Sequence, residues 1–148
     1  MIFHLKRAVA VTALLWALGS NPASAQVTFK AFGVKDAYIS DMSADGSVVV
    51  GILLGTSTVP NPTGNQAFRW TAAGGAETIG GHMDTVSISR DGRTIVGAAL
   101  DAQGIKNAAV WQGGTNWKLL GGVPGGVPQE LVLSVAYGVS GDGSVVVG

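Results

Sequence analysis

Apolar residues of this chain occur in short runs that are separated by Asp-Gly and Gly-Gly pairs. The run Val48-Val49-Val50 is apolar on both faces, which is typical of a strand that is covered on two sides. Phe68 and Trp70 flank a charged residue and therefore share one face of a strand. No segment after residue 25 shows a convincing helical period. The pattern predicts an all-β chain.

One ten-residue phrase occurs three times, at residues 42–51, 88–97 and 139–148. Each copy holds Ser-x-Asp-Gly followed by a run rich in β-branched residues. Asp-Gly between such runs is a strong hairpin signal, because glycine adopts a positive φ and aspartate can accept a hydrogen bond from its own backbone. The predicted turn residues are Asp45, Gly46, Asp91, Gly92, Asp142 and Gly143.

A second shared block places Trp70 and Trp111 41 residues apart, in Ala67-Phe68-Arg69-Trp70 and Ala108-Ala109-Val110-Trp111. Together the two blocks define repeated units at about 37–81 and 82–122, and an incomplete one at 132–148. Four strands are predicted in each complete unit: 38–42, 47–53, 66–70 and 76–79, then 85–89, 94–99, 107–111 and 117–120. We expect Phe68, Trp70 and Trp111 to lie in the core of the repeats.

Four antiparallel strands in roughly 40–50 residues is the size of a propeller blade. The predicted fold class is therefore all-β, with antiparallel four-stranded, propeller-blade-like units that form a partial propeller or an open β-repeat array. The alternative is a β-helix or solenoid, whose strands run parallel and do not need a tight Asp-Gly hairpin.

The first 25 residues have the order of a secretory signal peptide. Lys6-Arg7 precedes an apolar run from Ala8 to Leu18, and Ala23-Ser24-Ala25 forms a cleavage site before Gln26. That run is shorter than the roughly 20 apolar residues that span a bilayer. We expect an exported protein, periplasmic, on the outer surface or extracellular, with no membrane span after cleavage.

The mature part is nearly neutral and contains no cysteine. Removal of the leader leaves 7 Lys and Arg against 9 Asp and Glu, a net charge of −2. A chain without a basic patch has no electrostatic attraction for nucleic acid, so no nucleic-acid partner is expected.

The repeated phrase, followed by Ala-Phe-Arg-Trp-Thr and by Gly-Gly, resembles the HAF family of predicted extracellular repeats. The similarity is closest at 42–51 with 67–75, and again at 139–148, whereas the second unit has Ala109-Val110 where the family has Phe-Arg. The resemblance implies a bacterial exported repeat protein, and some similar arrays precede an autotransporter β-barrel. It implies location and architecture but no reaction. We expect the chain to be a fragment of a longer repeat protein or autotransporter passenger, or else to self-associate through an open C-terminal edge.

Catalytic and metal-binding patterns are sparse in the mature sequence. His82 is its only histidine, and no Gly-x-Ser-x-Gly elbow is present. Each Asp-Gly turn offers one carboxylate, whereas calcium takes six to eight oxygen ligands. The sequence therefore predicts no enzyme, no catalytic residue, no metal and no cofactor.

Three functions fit these features. The favoured one is a non-enzymatic exported module that binds a protein or glycan ligand. The loops at Thr56–Asn65 and Val123–Gln129, together with Trp117, which has no counterpart in the first unit, are the ligand-facing candidates. The alternatives are part of a secreted propeller-type hydrolase or lyase, and a purely structural spacer.

Overall fold

The computed structural model describes residues 29–55, 64–81, 86–121 and 134–148. The chain divides into two compact units, residues 1–32 and 33–148. Of the first unit only 29–32 are described, where the Lys30 ammonium lies 5.9 Å from the centre of the Phe32 ring. The predicted leader, His82 and most of the two proposed binding loops lie outside the described residues.

All regular structure in the described part of residues 33–148 is β-strand. The strands are β1 Ala37–Met42, β2 Val48–Leu53, β3 Gln66–Thr71, β4 Gly75–Gly80, β5 Ser87–Ile88, β6 Ile95–Leu100, β7 Lys106–Trp111, β8 Lys118–Leu119, β9 Gly138–Val139 and β10 Val146–Val147. Among the described residues there is no helix long and apolar enough to cross a membrane.

The strands form two four-stranded sheets and one two-stranded sheet, each with its strands in chain order. The orders are β1-β2-β3-β4, β5-β6-β7-β8 and β9-β10, and all neighbouring strands are antiparallel. In the part of the chain that the structure describes, the sheets do not close into a barrel. The predicted all-β fold of antiparallel four-stranded units is confirmed, and the parallel solenoid is wrong. We call the three sheets the first, second and third repeats.

Strand register is the same in the first two repeats. Trp70 pairs with Val49 across β2 and β3, and Trp111 pairs with Ile95 across β6 and β7. Because directly opposite residues share one face of a sheet, each tryptophan lies on the same face as its partner. The sequence alignment of the two tryptophans is therefore also a structural alignment.

The core joins the facing surfaces of successive repeats. Val50 and Ile52, on one face of β2, belong to the same buried cluster as Ile95 and Trp111 of the second repeat. Burying a side chain of this size contributes about 1.5–3 kcal/mol. Packing against the second repeat therefore contributes to the stability of the first sheet.

Candidate functional site

The Ser-x-Asp-Gly turns are built around a serine hydroxyl. In the second repeat the buried Ser89 Oγ donates to Asp91 Oδ1 at 2.6 Å and accepts from the Thr94 backbone N–H at 3.0 Å. The Ser43 hydroxyl makes the same pair of bonds at 2.7 and 3.0 Å, and the Ser140 hydroxyl at 2.6 and 2.9 Å. Each serine thereby links its aspartate to the start of the next strand.

The turn aspartates are held as carboxylates by these donors. The Ser43 hydroxyl, with the backbone N–H and hydroxyl of Ser47, lowers the pKa of Asp45 to about 2. The Ser140 hydroxyl and both Ser144 donors lower the pKa of Asp142 to about 2 in the same way. The pKa of Asp91 is lowered first by the Ser89 hydroxyl. Because hydrogen-bond donors inside each turn cause these shifts, they mark a structural role for the carboxylates.

Adjacent repeats are joined by hydrogen bonds at the turns. The Ala44 N–H donates to the Arg90 carbonyl at 2.9 Å, and the Asp91 N–H donates to the Gly141 carbonyl at 3.4 Å. The turns of successive repeats therefore stand side by side.

Asp41 adds a side-chain link between the first two repeats. Its Oδ2 accepts from the Ser87 hydroxyl at 2.7 Å and from the Ile88 backbone N–H at 3.0 Å. The β1 register shifts between Ile39 and Asp41, and such a bulge re-aims the side chains that follow it. This irregularity positions the carboxylate toward β5.

A polar groove of about 400 Å³ runs beside Trp117. Trp117 is half-buried against the core, and its indole N–H donates to the Ile79 carbonyl of β4 at 2.7 Å. That bond fixes the ring at the boundary between the first two repeats. The residues that line the groove are Gly81, Ala99, Leu100, Thr115, Asn116 and Trp117. The groove thus combines a fixed aromatic ring with an exposed amide and hydroxyl, the mixture of apolar and polar groups that binds small ligands.

A second groove of about 330 Å³ lies at the turn end of the same boundary. Arg69 and Arg93 line it together with Gln112. The Arg69 guanidinium is paired with Glu77 at 3.1 Å, and the Gln112 amide donates to the Thr94 hydroxyl at 3.2 Å. Two of its polar groups are therefore already engaged by neighbouring side chains.

The predicted core aromatics occupy different environments. Phe68 is fully buried, Trp111 is buried in the cluster between the repeats, and Trp70 is half-buried. The Trp111 indole N–H donates to the Gly114 carbonyl at 3.0 Å. The six turn residues lie at the β1–β2, β5–β6 and β9–β10 connections.

Sequence reasoning missed the serines and Asp41 as structural groups. The signal for the serines was present, since Ser43, Ser89 and Ser140 each precede the turn glycine by three residues. Asp41 carried no such signal, because the equivalent residues in the other repeats are Ser87 and Gly138.

In the part of the chain that the structure describes, no three His, Asp or Glu side chains lie together as a metal site would require. Comparisons with protein-family models, with curated proteins and with solved structures found no match to this chain. Its resemblance to the HAF family stays a prediction.

Proposed function

We propose that this chain is an exported, non-enzymatic β-repeat module that binds an extracellular ligand in the groove beside Trp117. A glycan is the ligand class that this groove favours, with a protein ligand as the alternative. The signal-peptide pattern supports export, and the HAF resemblance supports a segment of a longer repeat protein or autotransporter passenger. The module acts by presenting side chains on a repeated scaffold.

The observation that carries this proposal is the fixed position of the Trp117 ring. Its N–H is engaged by the Ile79 carbonyl, so the ring cannot turn away from the groove without losing a hydrogen bond at the repeat boundary. Thr115 and Asn116, both exposed, stand in the same groove. An apolar ring flanked by hydrogen-bonding side chains matches a sugar, which has an apolar face and a rim of hydroxyls.

The test is a screen of the purified chain against neutral and acidic oligosaccharides, followed by titration of each hit. Asn116→Ala removes an exposed amide and should weaken binding about fivefold, the value of one ordinary hydrogen bond. Gln112→Ala is the matched control, since Gln112 is also exposed but lines the other groove. Binding that Asn116→Ala leaves unchanged would place the ligand elsewhere.

Export is tested separately by fractionating cells that express the full chain. We expect the protein outside the cytoplasm, with Gln26 as its first residue. A protein that stays in the cytoplasm with Met1 intact would contradict export. Absence of any ligand in the screen would leave the structural spacer as the better description.

A further inference from the structure

The groove at the turn end of the boundary between the first two repeats is lined by two arginines that come from different repeats. Arg69 lies on β3 of the first repeat, and Arg93 directly follows the turn glycine of the second. Arg69 is paired with Val50 across β2 and β3, and Val50 belongs to the core cluster between the repeats. Because directly opposite residues share a face, Arg69 lies on the face of its sheet that packs against the second repeat. The fold thus brings both cations to one groove.

Neither arginine is required by the repeated scaffold. The residue equivalent to Arg69 in the second repeat is Val110, in the same position of the same strand. The residues equivalent to Arg93 are Ser47 and Ser144, and each of their hydroxyls donates to its turn aspartate at 2.8 Å. An arginine side chain replaces that hydroxyl bond with a positive charge. Two such departures from the repeat pattern that meet in one groove indicate a ligand with negative charge.

Arg69 already binds one carboxylate, that of Glu77, through Nη1 at 3.1 Å. Among the described residues this is its one side-chain hydrogen bond, and a guanidinium has five N–H donors. The Arg69 side chain is 26% exposed, whereas that of Glu77 is 59% exposed. An ion pair with an exposed partner is weak, so an incoming carboxylate can exchange with Glu77 or use the remaining donors.

Gln112 adds a hydrogen-bond acceptor to the groove. Its amide nitrogen donates to the Thr94 hydroxyl at 3.2 Å, so the amide oxygen is the group that it offers to a ligand. An acceptor beside two cations suits a ligand that carries hydroxyl donors as well as a carboxylate. Sugar acids carry both groups, whereas the acidic side chains of a protein carry the carboxylate alone.

We propose that this groove binds a sugar acid, with Arg69 and Arg93 on its carboxylate and Gln112 on a ring hydroxyl. Guanidinium groups suit this role because their paired N–H donors match the two oxygens of a carboxylate. The anion site depends on the two arginines alone, whereas the choice of a sugar rests on the proposed function, binding of an extracellular glycan. The site is separate from the groove beside Trp117.

The repeats themselves supply the test variants. Arg69→Val and Arg93→Ser introduce residues that the equivalent positions already hold, so both variants should fold. Glu77→Gln removes the carboxylate that competes for Arg69 and keeps the size of the side chain. Arg90→Ser is the control, because Arg90 is an exposed arginine of the same turn that does not line the groove.

The experiment is isothermal titration of the purified chain with trigalacturonate. Two comparison probes are the neutral trisaccharide maltotriose and N-acetyl-triglutamate amide, which has the same charge as trigalacturonate. We expect trigalacturonate to bind more tightly than either.

The variants should separate the two arginines from general charge effects. Arg69→Val and Arg93→Ser should each weaken trigalacturonate binding about tenfold, the value of a hydrogen bond between charged groups. Glu77→Gln should strengthen binding about twofold, since it removes only a weak competitor. Arg90→Ser should leave binding unchanged. Thermal melting shows that each variant is folded, and Arg69→Gln replaces Arg69→Val if the latter is not.

Four outcomes overturn the proposal. Trigalacturonate can fail to bind, or it can bind equally to Arg69→Val, Arg93→Ser and Arg90→Ser. Tighter binding of the triglutamate peptide would make the ligand an acidic segment of a protein. Weakening by Asn116→Ala in place of the arginine variants would put the sugar acid beside Trp117, which would overturn this site and leave the proposed function standing.

Discussion

The ring of Phe68 lies directly over the α-carbon of Gly51, its cross-strand partner in β2 and β3. A Cβ built on Gly51 would lie 2.5 Å from Phe68 Cε1 and would also contact the Tyr38 carbonyl oxygen of β1. The φ of Gly51 is outside the left-handed region, so the need for glycine is set by space and not by backbone conformation. The Phe68 ring occupies the space that a side chain at position 51 would need.

Gly51→Ala should therefore destabilise the chain by about 3 kcal/mol, at the upper end of ordinary overpacking. The measurement is the free energy of unfolding in urea. The control adds Phe68→Leu to Gly51→Ala. The smaller leucine side chain removes the contact of the new methyl group with the Phe68 ring and leaves its contact with the Tyr38 carbonyl oxygen. The double variant should lose less stability than the sum of the single changes. Strict additivity would show that the ring does not oppose the methyl group.

Gly92→Ala should cost more stability than Gly46→Ala, although both glycines have nearly the same positive φ, 73° and 68°. The conformational strain, about 1–2 kcal/mol, is common to both changes. Only Gly92 adds a contact, since its Cβ would press on Val48 and Ser43 of the first repeat. Urea unfolding of both variants measures the difference. Equal losses would show that the repeats are not tightly packed at the turns.

Much of this fold could be predicted because its signals are local. The Asp-Gly turns and the alternation around Phe68 and Trp70 place most strands within two residues of their observed limits. The contacts between repeats could not be predicted in this way. They depend on which residue of one sheet meets which residue of the next, as for Gly92 on Val48, and no periodicity within a single strand encodes that choice.

The groove beside Trp117 could likewise be predicted only in part from the sequence. Trp117 has no counterpart in the first repeat, and this difference between the units makes it a predicted ligand-facing residue. Its hydrogen bond to the Ile79 carbonyl spans 38 residues and fixes the ring between repeats. Thr115 and Asn116 become candidate ligand-binding residues only because they line the same groove.

Ser89→Ala should destabilise the chain by about 1–3 kcal/mol, because it leaves the buried Thr94 N–H without its side-chain acceptor. Ser47→Ala is the matched control. Its hydroxyl also donates to a turn aspartate, at 2.8 Å, but it is exposed, so its loss should cost no more than about 0.5 kcal/mol. Thermal and urea unfolding of both variants test this, and comparable losses would refute the special role of the buried serine.

Asp41→Ala should weaken the contact between the first two repeats by about 1–3 kcal/mol, since two donors of the second repeat lose their acceptor. The specific measurement is amide hydrogen exchange, in which the Ile88 N–H should exchange faster. Asp101→Ala is the control: it removes a carboxylate that accepts from Ile105 N–H within one repeat, at 2.8 Å. That change should speed exchange at Ile105 and leave Ile88 protected. Unchanged exchange at Ile88 in Asp41→Ala would contradict the proposed link.

Stability should fall in acid between about pH 4 and pH 2, where the turn aspartates become protonated. The pKa of Asp45 and that of Asp142 are lowered from 3.8 to about 2 by hydrogen bonds in the folded turns. A carboxyl whose pKa is lower in the folded state stabilises the fold above its unfolded pKa, and this contribution is lost as the pH falls through the folded pKa. The melting temperature, measured against pH, should therefore drop through this window.

The combined variant Asp45→Asn with Asp142→Asn should have a lower melting temperature at neutral pH and lose less of it in acid. Glu77→Gln is the control, because it removes an exposed carboxylate outside the turns, and its melting temperature should fall as much in acid as that of the unaltered chain. Carbon-13 titration of the aspartate carboxyls measures these pKa values directly. A pKa near 3.8 for both Asp45 and Asp142 would show that the serine donors do not lower it.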